Sequence, residues 1–390
     1  MKFLRFIGLV TLILASAPLS ATPPVYSVID IGSLGGNITM ADGINDNGDI
    51  VGESQLSSSS TSATHAFLYR HASRSMVDLG APGGTAGEAF SINDSGTITG
   101  EVYGADSNQS ADWDPLVWLT SGGLLALDGP YPNGNGLYVT TNSISNTGLI
   151  VGQGYINDVG AVRAVLYRNG TITNLGTLGG DWSDANAISP QGIYIAGTSA
   201  VKGATAATNF LPTHAFLYRN GYRTDLGTLP GGNYSAATGV NNKGSVVGYS
   251  WIGQTGNCTP SPYNPVIQHA FVSVNGKMTD LGNLANKTTC NSTAEAINDT
   301  GEIVGYSDAI TTANVQVGRA FLYSGGQMFS LTFLDWGDPA WGFVRLTNAV
   351  AINCNGWIAA NGVDTRTPNV YRAYLLIPKG PLRPECPPPR

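Results

Sequence analysis

Charge is scarce in this 390-residue chain: Asp, Glu, Lys and Arg make up 12% of it, and His occurs four times. Apolar residues at helical spacing are missing beyond residue 21, which argues against amphipathic helices. A Gly-x-Ser-x-Gly elbow, a His-Glu-x-x-His pair and a phosphate-binding loop are all absent, so several common hydrolase and nucleotide chemistries have no anchor. Basic residues are short as well. Setting aside Lys2 and Arg5, 17 basic residues face 26 acidic ones, a net charge near −9. Phosphate binding wants a basic face, so a nucleic-acid partner is not expected. No apolar run after Ala17 approaches the ~20 residues of a membrane-spanning helix.

What is present begins with a leader pattern. Lys2 and Arg5 precede an apolar run from Phe6 to Ala17, and Leu19-Ser20-Ala21 offers small residues before Thr22. This reads as a secretory signal peptide over residues 1–21. It predicts export to the periplasm or the extracellular space, with no transmembrane segment left after cleavage. In that setting four cysteines are expected to form disulfides. Gly accounts for 51 residues, which suits many short strands joined by tight turns.

The strongest signal is a repeat. Ile44-Asn-Asp-Asn-Gly-Asp-Ile-Val-Gly returns at Ile92, Ile144, Ile188, Val240, Ile297 and Ile352, every 44 to 57 residues. Each module carries four strand signals. They are a small-residue run ending in that Ile, the Gly-x-Ile-Val-Gly segment, a third segment and a fourth ending in Asp-Leu-Gly. The third segment reads His-Ala-Phe-Leu-Tyr at His65 and His214, and His-Ala-Phe at His269. It carries Arg in place of His at Arg163, Arg319 and Arg372. Asn169-Gly170, Asn220-Gly221, Asn275-Gly276 and Gly325-Gly326 mark two-residue hairpins between strands three and four. Four antiparallel strands per module predict an all-β, seven-bladed β-propeller of four-stranded antiparallel blades.

The ends complement each other. Tyr26-Ser-Val-Ile-Asp30-Ile-Gly32 is a fourth strand with no blade before it, and the seventh module lacks one. Pairing the N-terminal strand with the last blade closes the ring and covers an open sheet edge. The propeller spans 22–378, and a Pro-rich tail follows over 379–390. The His-Ala-Phe-Leu-Tyr and Ile-Asn-x-x-Gly-x-Ile-Val-Gly segments resemble those of the HAF-repeat extracellular proteins, a family of exported bacterial repeat proteins. The resemblance covers nearly the whole chain after residue 21. It implies export and a repeat fold and brings no catalytic residue with it.

Propeller geometry sorts the loops. One face, the bottom, holds the short hairpins between strands one and two and between three and four. The top holds the longer, variable loops and the blade-to-blade connections. This map pairs Cys258 with Cys290 on the top and Cys354 with Cys386 on the bottom. The residue heading strand three faces the Asp of strand four, so His65–Asp78, His214–Asp225, His269–Asp280 and Arg372–Asp30 are expected as cross-strand structural pairs, and Arg163 is expected to face Asn174. Arg in place of His argues against metal, and no metal or cofactor is expected. The Asp-rich turns are read as turn-forming rather than calcium-binding, because some copies lack the acids.

The candidate ligand residues lie on the predicted top and along the axis. The Gly-Gly connections carry Asn37, Asp181, Trp182, Asn233 and Tyr234 outward. Trp113, Trp251, Trp336 and Trp341 fall in top or connecting segments. Flat aromatics beside polar residues can stack on and hydrogen-bond a sugar or peptide, or can simply pack blade on blade. The first strands bring Asp42, Glu88, Asp184 and Glu295 near the axis, where paired carboxylates could hydrolyse a glycosidic bond or be solvated. The favoured expectation is a non-enzymatic exported binding module for a carbohydrate or protein ligand on the top face. A glycan- or peptide-acting enzyme and a structural envelope protein are the alternatives.

Overall fold

A computed structural model describes residues 25–59, 62–104, 113–127, 140–156, 160–204, 212–255, 258, 266–333, 341–367, 369–387 and 389. The expected leader falls outside these residues, as does Trp336. Seven four-stranded antiparallel sheets form the blades. Six of them use four consecutive strands. In the first these are Thr39–Ile44, Ile50–Gln55, Thr64–Arg70 and Ser75–Gly80. The seventh takes Val344–Ile352, Ile358–Asp364 and Tyr371–Pro378, and its outer strand is Tyr26–Asp30, from the far end of the chain. Tyr26 lies opposite Pro378 and Asp30 opposite Tyr374, so the ring closes as the complementary ends predict.

The core lies between blades. Phe67, Phe216, Phe271 and Phe321, from the third strands of blades one, four, five and six, are fully buried. Room for them comes from the last Gly of Gly-x-Ile-Val-Gly. A Cβ on Gly197 would meet Asp184 O at 2.0 Å and the Phe216 ring at 2.8 Å, and one on Gly305 would meet Thr293 O at 2.1 Å. The inner strand, bulged beside this position, leaves no space for a side chain. Blade seven carries Ala360 there instead, and its inner strand shows a second register shift, between Leu346 and Asn348, absent from blade one.

The repeated turn does more than reverse the chain. Asn45 Oδ1 accepts the amides of Asn47 and Asp49, which is the expected cap. Its Nδ2 then donates across the blade boundary to Asn93 O at 3.1 Å. Asn93 reaches Ser145 O, Asn241 reaches Asn298 O, Asn298 reaches Asn353 O, and Asn353 returns to Asn45 O. A second circuit runs beside the first. Asp46 N–H donates to Asp94, Asp94 N–H to Asn146, Asn242 N–H to Asp299, and Cys354 N–H to Asp46. The Asp-rich turns are thus inter-blade couplers as well as turns. Ser145 and Ser189 keep the local cap but are too short to reach the next blade.

Two disulfides are formed, Cys258–Cys290 and Cys354–Cys386. The second pins the tail against the bottom of blades six and seven. There Arg383 pairs with Glu302 at 2.6 Å and donates to Thr300 and Cys354 O.

Asn241→Ala should destabilise the fold by about 2–4 kcal/mol, because it strands two amides and a carbonyl at a buried turn. Asn241→Ser should cost clearly less, since Ser keeps the local cap as it does at Ser145. Urea unfolding of both variants checks the order; equal losses would mean that the cross-blade bond contributes little.

Candidate functional site

The described side chains put functional groups along the axis at two levels. Counting back from the Ile of each repeat, the second residue forms a lower tier: Asp42, Phe90, Asn142, Asn186, Thr238 and Glu295, with Val350 in blade seven. Where this residue is an amide or hydroxyl it bonds the next blade's inner strand. Asn142 donates to Ala185 O, Asn186 to Ala237 O and Thr238 to Ala294 O. The lower tier lines a cavity of about 410 Å³ that reaches down to the bottom turns, with Glu385 and Pro387 of the tail also lining it.

The upper tier combines the fourth residue back from that Ile with the residue after the Gly of the second strand. Direct register places Met40 opposite Glu53, Glu88 opposite Glu101, Ala236 opposite Tyr249 and Thr293 opposite Tyr306. Opposed residues of an antiparallel pair share a face. Glu88 and Asp184 therefore stand in this upper tier and not in the cavity that Asp42 and Glu295 line. The four acids do not form one set, because the inner strand runs along the axis and two residues of strand separate the levels.

Burial dominates the electrostatics. It pushes Glu88 up to about 7, helped by the like charges of Glu53 and Glu101. Burial also lifts Glu101 to about 7, with Asp114 and Asp184 adding to it. Asp184 rises to about 7 through burial, against the pull of a hydrogen bond from Asn142 at 2.9 Å. Glu295 reaches about 7 despite a hydrogen bond from Asn348. Asp42 is raised well above the carboxylate range by burial, then by Glu88 and Glu53, and its Oδ2 is shut from solvent with no hydrogen-bond partner. Glu53, Glu101 and Tyr249 were invisible to an argument from motifs. The signal was their slot, the one residue that varies freely beside an otherwise repeated Gly.

The aromatic groups sort themselves. Tyr234 stacks on Trp251 at 4.9 Å and on Tyr249 at 5.9 Å, near Asp184. All three rings are partly exposed, and so is Trp182. Trp341 instead packs on the core of blades six and seven, edge-on to Tyr374. Trp113 opens the third strand of blade two. Asp181 and Asn233 are exposed, and Asn37 is partly so. Their backbone carbonyls tie blades together, accepting from Arg163, from Thr213 N–H and from Arg372.

The heads of strand three divide by residue type. His65, His214 and His269 donate from Nδ1 to Asp78, Asp225 and Asp280 at 2.9, 2.8 and 2.9 Å. Each Asp also accepts the amide two residues on, in its own Asp-Leu-Gly. Arg372 does not pair with Asp30. The longer guanidinium passes the turn and donates to the carbonyls of Asn37 and Tyr371, while Asp30 caps Gly32. Arg163 behaves alike, reaching Val162 O and Asp181 O and leaving Asn174 to cap Gly176. Among the described residues no group of three or more His, Cys, Asp and Glu converges as a metal site.

No protein-family model matches the chain, and no curated protein matches it in sequence. Among solved structures it is similar to TolB from Acinetobacter baumannii, at 13% identity and a TM-score of 0.39, over 62% of this chain and 52% of that one. It is also similar to the β-propeller domain of the Trilobed protease from Pyrococcus furiosus, described as having an open velcro topology. That match has 8% identity and a TM-score of 0.48 over 93% and 96% of the two chains. The tricorn protease matches at 10% identity and a TM-score of 0.45, over 92% of this chain and 36% of that one. The chain spans about half the length of the TolB structure and about a third of the tricorn protease. These likenesses bring no residue role to the tiers.

Carboxyls with raised pKa values make folding proton-coupled. Between the unfolded values near 4 and the folded values of about 6 to 7, the folded state holds more protons than the unfolded one. Their contribution is complete below the unfolded pKa and is lost as pH rises through the folded values. Asp280, held low chiefly by His269 against its burial, acts in the opposite sense only in stronger acid. The melting temperature should therefore fall steadily from about pH 5 to about pH 8. Asp184→Asn combined with Glu295→Gln should flatten that slope in calorimetry.

Proposed function

We propose that the protein is an exported, non-enzymatic propeller module, akin to the HAF-repeat extracellular proteins, that holds a carbohydrate at its top end. The Tyr249–Tyr234–Trp251 stack beside Asp184 carries this reading. Partly exposed flat rings offer an apolar platform to a sugar face. Carboxyls that are partly protonated near neutrality, such as Glu88, Glu101 and Asp184, can both donate to and accept from hydroxyls. The two disulfides support an oxidising compartment.

One observation favours a second reading, a glycan hydrolase. Glu88 and Glu101 are direct cross-strand partners, the close approach of two carboxyls on which glycoside hydrolysis relies. The binding reading is preferred because the raised pKa values of this pair are shared by Asp184 and Glu295 in other blades. They follow from burial along the axis rather than from tuning of one pair.

A glycan array with the purified protein tests the first reading. Trp251→Ala and Tyr249→Ala should each weaken the best glycan by about tenfold, the worth of roughly 1–2 kcal/mol of stacking. Retained affinity in both, or capture of proteins alone, would overturn it. Glycan release that disappears in both Glu88→Gln and Glu101→Gln would establish the hydrolase instead.

A further inference from the structure

The upper tier is unequal around the ring. Blade five gives it the Tyr234–Tyr249–Trp251 stack, blade four Asp184, and blade two the opposed pair Glu88 and Glu101. Asp184 joins the two sides, because its charge acts on Tyr234 in the stack and on Glu101 two blades away. One flank is aromatic and the other acidic, with a shared carboxyl between them.

The acidic flank lacks a counter-charge. The charges that chiefly act on Glu88 and Glu101 are those of other acids, Glu53, Asp114 and Asp184 among them. The segments outside the described residues between 60 and 368 carry no Lys, Arg or His either. Glu101 is the separate sign of an occupant. Its side chain is 8% exposed, yet it accepts no hydrogen bond among the described residues. Its oxygens are not among the orphaned atoms shut from solvent, so they keep an opening. Other polar groups of the tier are partnered: Asp184 by Asn142, Thr293 by Gln268 and Tyr306 by Asp308. A carboxyl so buried, open and without a donor calls for one from a ligand.

Resting on the carbohydrate reading above, we infer that the sugar is an amino sugar. A glucosamine-type ring lies on the stack with its free ammonium toward Asp184, and the next ammonium of a linear oligomer bridges Glu88 and Glu101. The opposed Cβ atoms of an antiparallel pair lie about 4.5–5.5 Å apart, so two carboxyls there can close on one group from both sides. An ammonium brings three donors and no acceptor. It also cancels the like-charge repulsion between Glu88 and Glu101, which a hydroxyl would leave in place. Protons held by the pair before binding are what the cation displaces. A neutral sugar leaves the acids uncompensated, and an acidic one is repelled. A bare polycation leaves the flat ring faces without a partner of matching shape.

Calorimetric titration of the purified protein at pH 7 with the β-1,4-linked glucosamine tetramer tests the assignment. The N-acetylglucosamine tetramer, cellotetraose and tetralysine are the comparators. The expected result is saturable binding of the amino tetramer, with each comparator at least about tenfold weaker, the difference between charged and neutral hydrogen bonds. Glu88→Gln with Glu101→Gln should remove most of the preference for the amino tetramer over cellotetraose. If that double variant fails to fold, Glu101→Gln alone replaces it. Trp251→Ala should weaken the amino tetramer about tenfold through loss of stacking. An uncharged tetramer bound as tightly, with its affinity lost in Trp251→Ala, would overturn the amino-sugar assignment and leave the carbohydrate reading standing. Tetralysine bound as tightly, or an undiminished preference in the Glu variant, would also overturn it. No binding of any tetramer, together with a blank glycan array, would remove both readings.

Discussion

A four-stranded blade buries both faces only if another blade lies on each side, so the ring must close for any blade to be satisfied. Everything else depends on that closure. The chain runs from each blade into the next, and the one junction it does not make, that of Tyr26–Asp30 with Tyr371–Pro378 inside blade seven, is held by hydrogen bonds, with a second set between the blades. The backbone ladder of Tyr26–Asp30 on Tyr371–Pro378 completes blade seven. The side-chain circuits of the Ile-Asn turns bind blade one to two, two to three, five to six and six to seven, and blade seven back to blade one through Asn353 and Cys354. Buried amides with all their groups used specify a single arrangement more sharply than apolar contact alone, because a slipped blade would leave them unpaired.

The same closure creates the electrostatic character of the axis. Seven inner strands converge there, and any acid they carry is desolvated by its neighbours. The raised pKa values of Glu88, Asp184 and Glu295 have this common origin. A perturbed carboxyl in a propeller funnel is therefore weaker testimony to catalysis than it would be in a lone cleft. The distinguishing feature is local: the aromatic stack of Tyr234, Tyr249 and Trp251.

Much of this was legible before any coordinates. The repeat, the Asn-Gly hairpins and the complementary ends specify seven blades and their closure, because period and turn chemistry act locally. His65, His214 and His269 also reach the expected Asp, though diagonally, since direct register sets Phe67, Phe216 and Phe271 opposite Asp78, Asp225 and Asp280. Arg372 and Arg163 escaped that logic because a longer side chain has several carbonyls within reach. The cross-blade role of Asn45 was hidden for a related reason. One residue type satisfies both a local turn and a distant carbonyl, and sequence spacing displays only the first. The split between Asp42 with Glu295 and Glu88 with Asp184 was open to counting, two against four residues before the Ile of the repeat, but grouping all four as axial acids passed over it.

The tail bond also decides how the ring would carry tension. The Cys354–Cys386 link joins the tail directly to the turn between the first two strands of blade seven. A pull on the segment beyond Cys386 would enter the fold at Cys354 and bypass Ile358–Asp364 and Tyr371–Pro378. Those two strands sit in a slack covalent loop, and one of them is the partner of Tyr26–Asp30. Load drawn from the tail side would thus fall on the inner edge of the blade. The seam where the ring closes would be spared from peeling in that direction, a mechanical asymmetry between the two ends of the propeller.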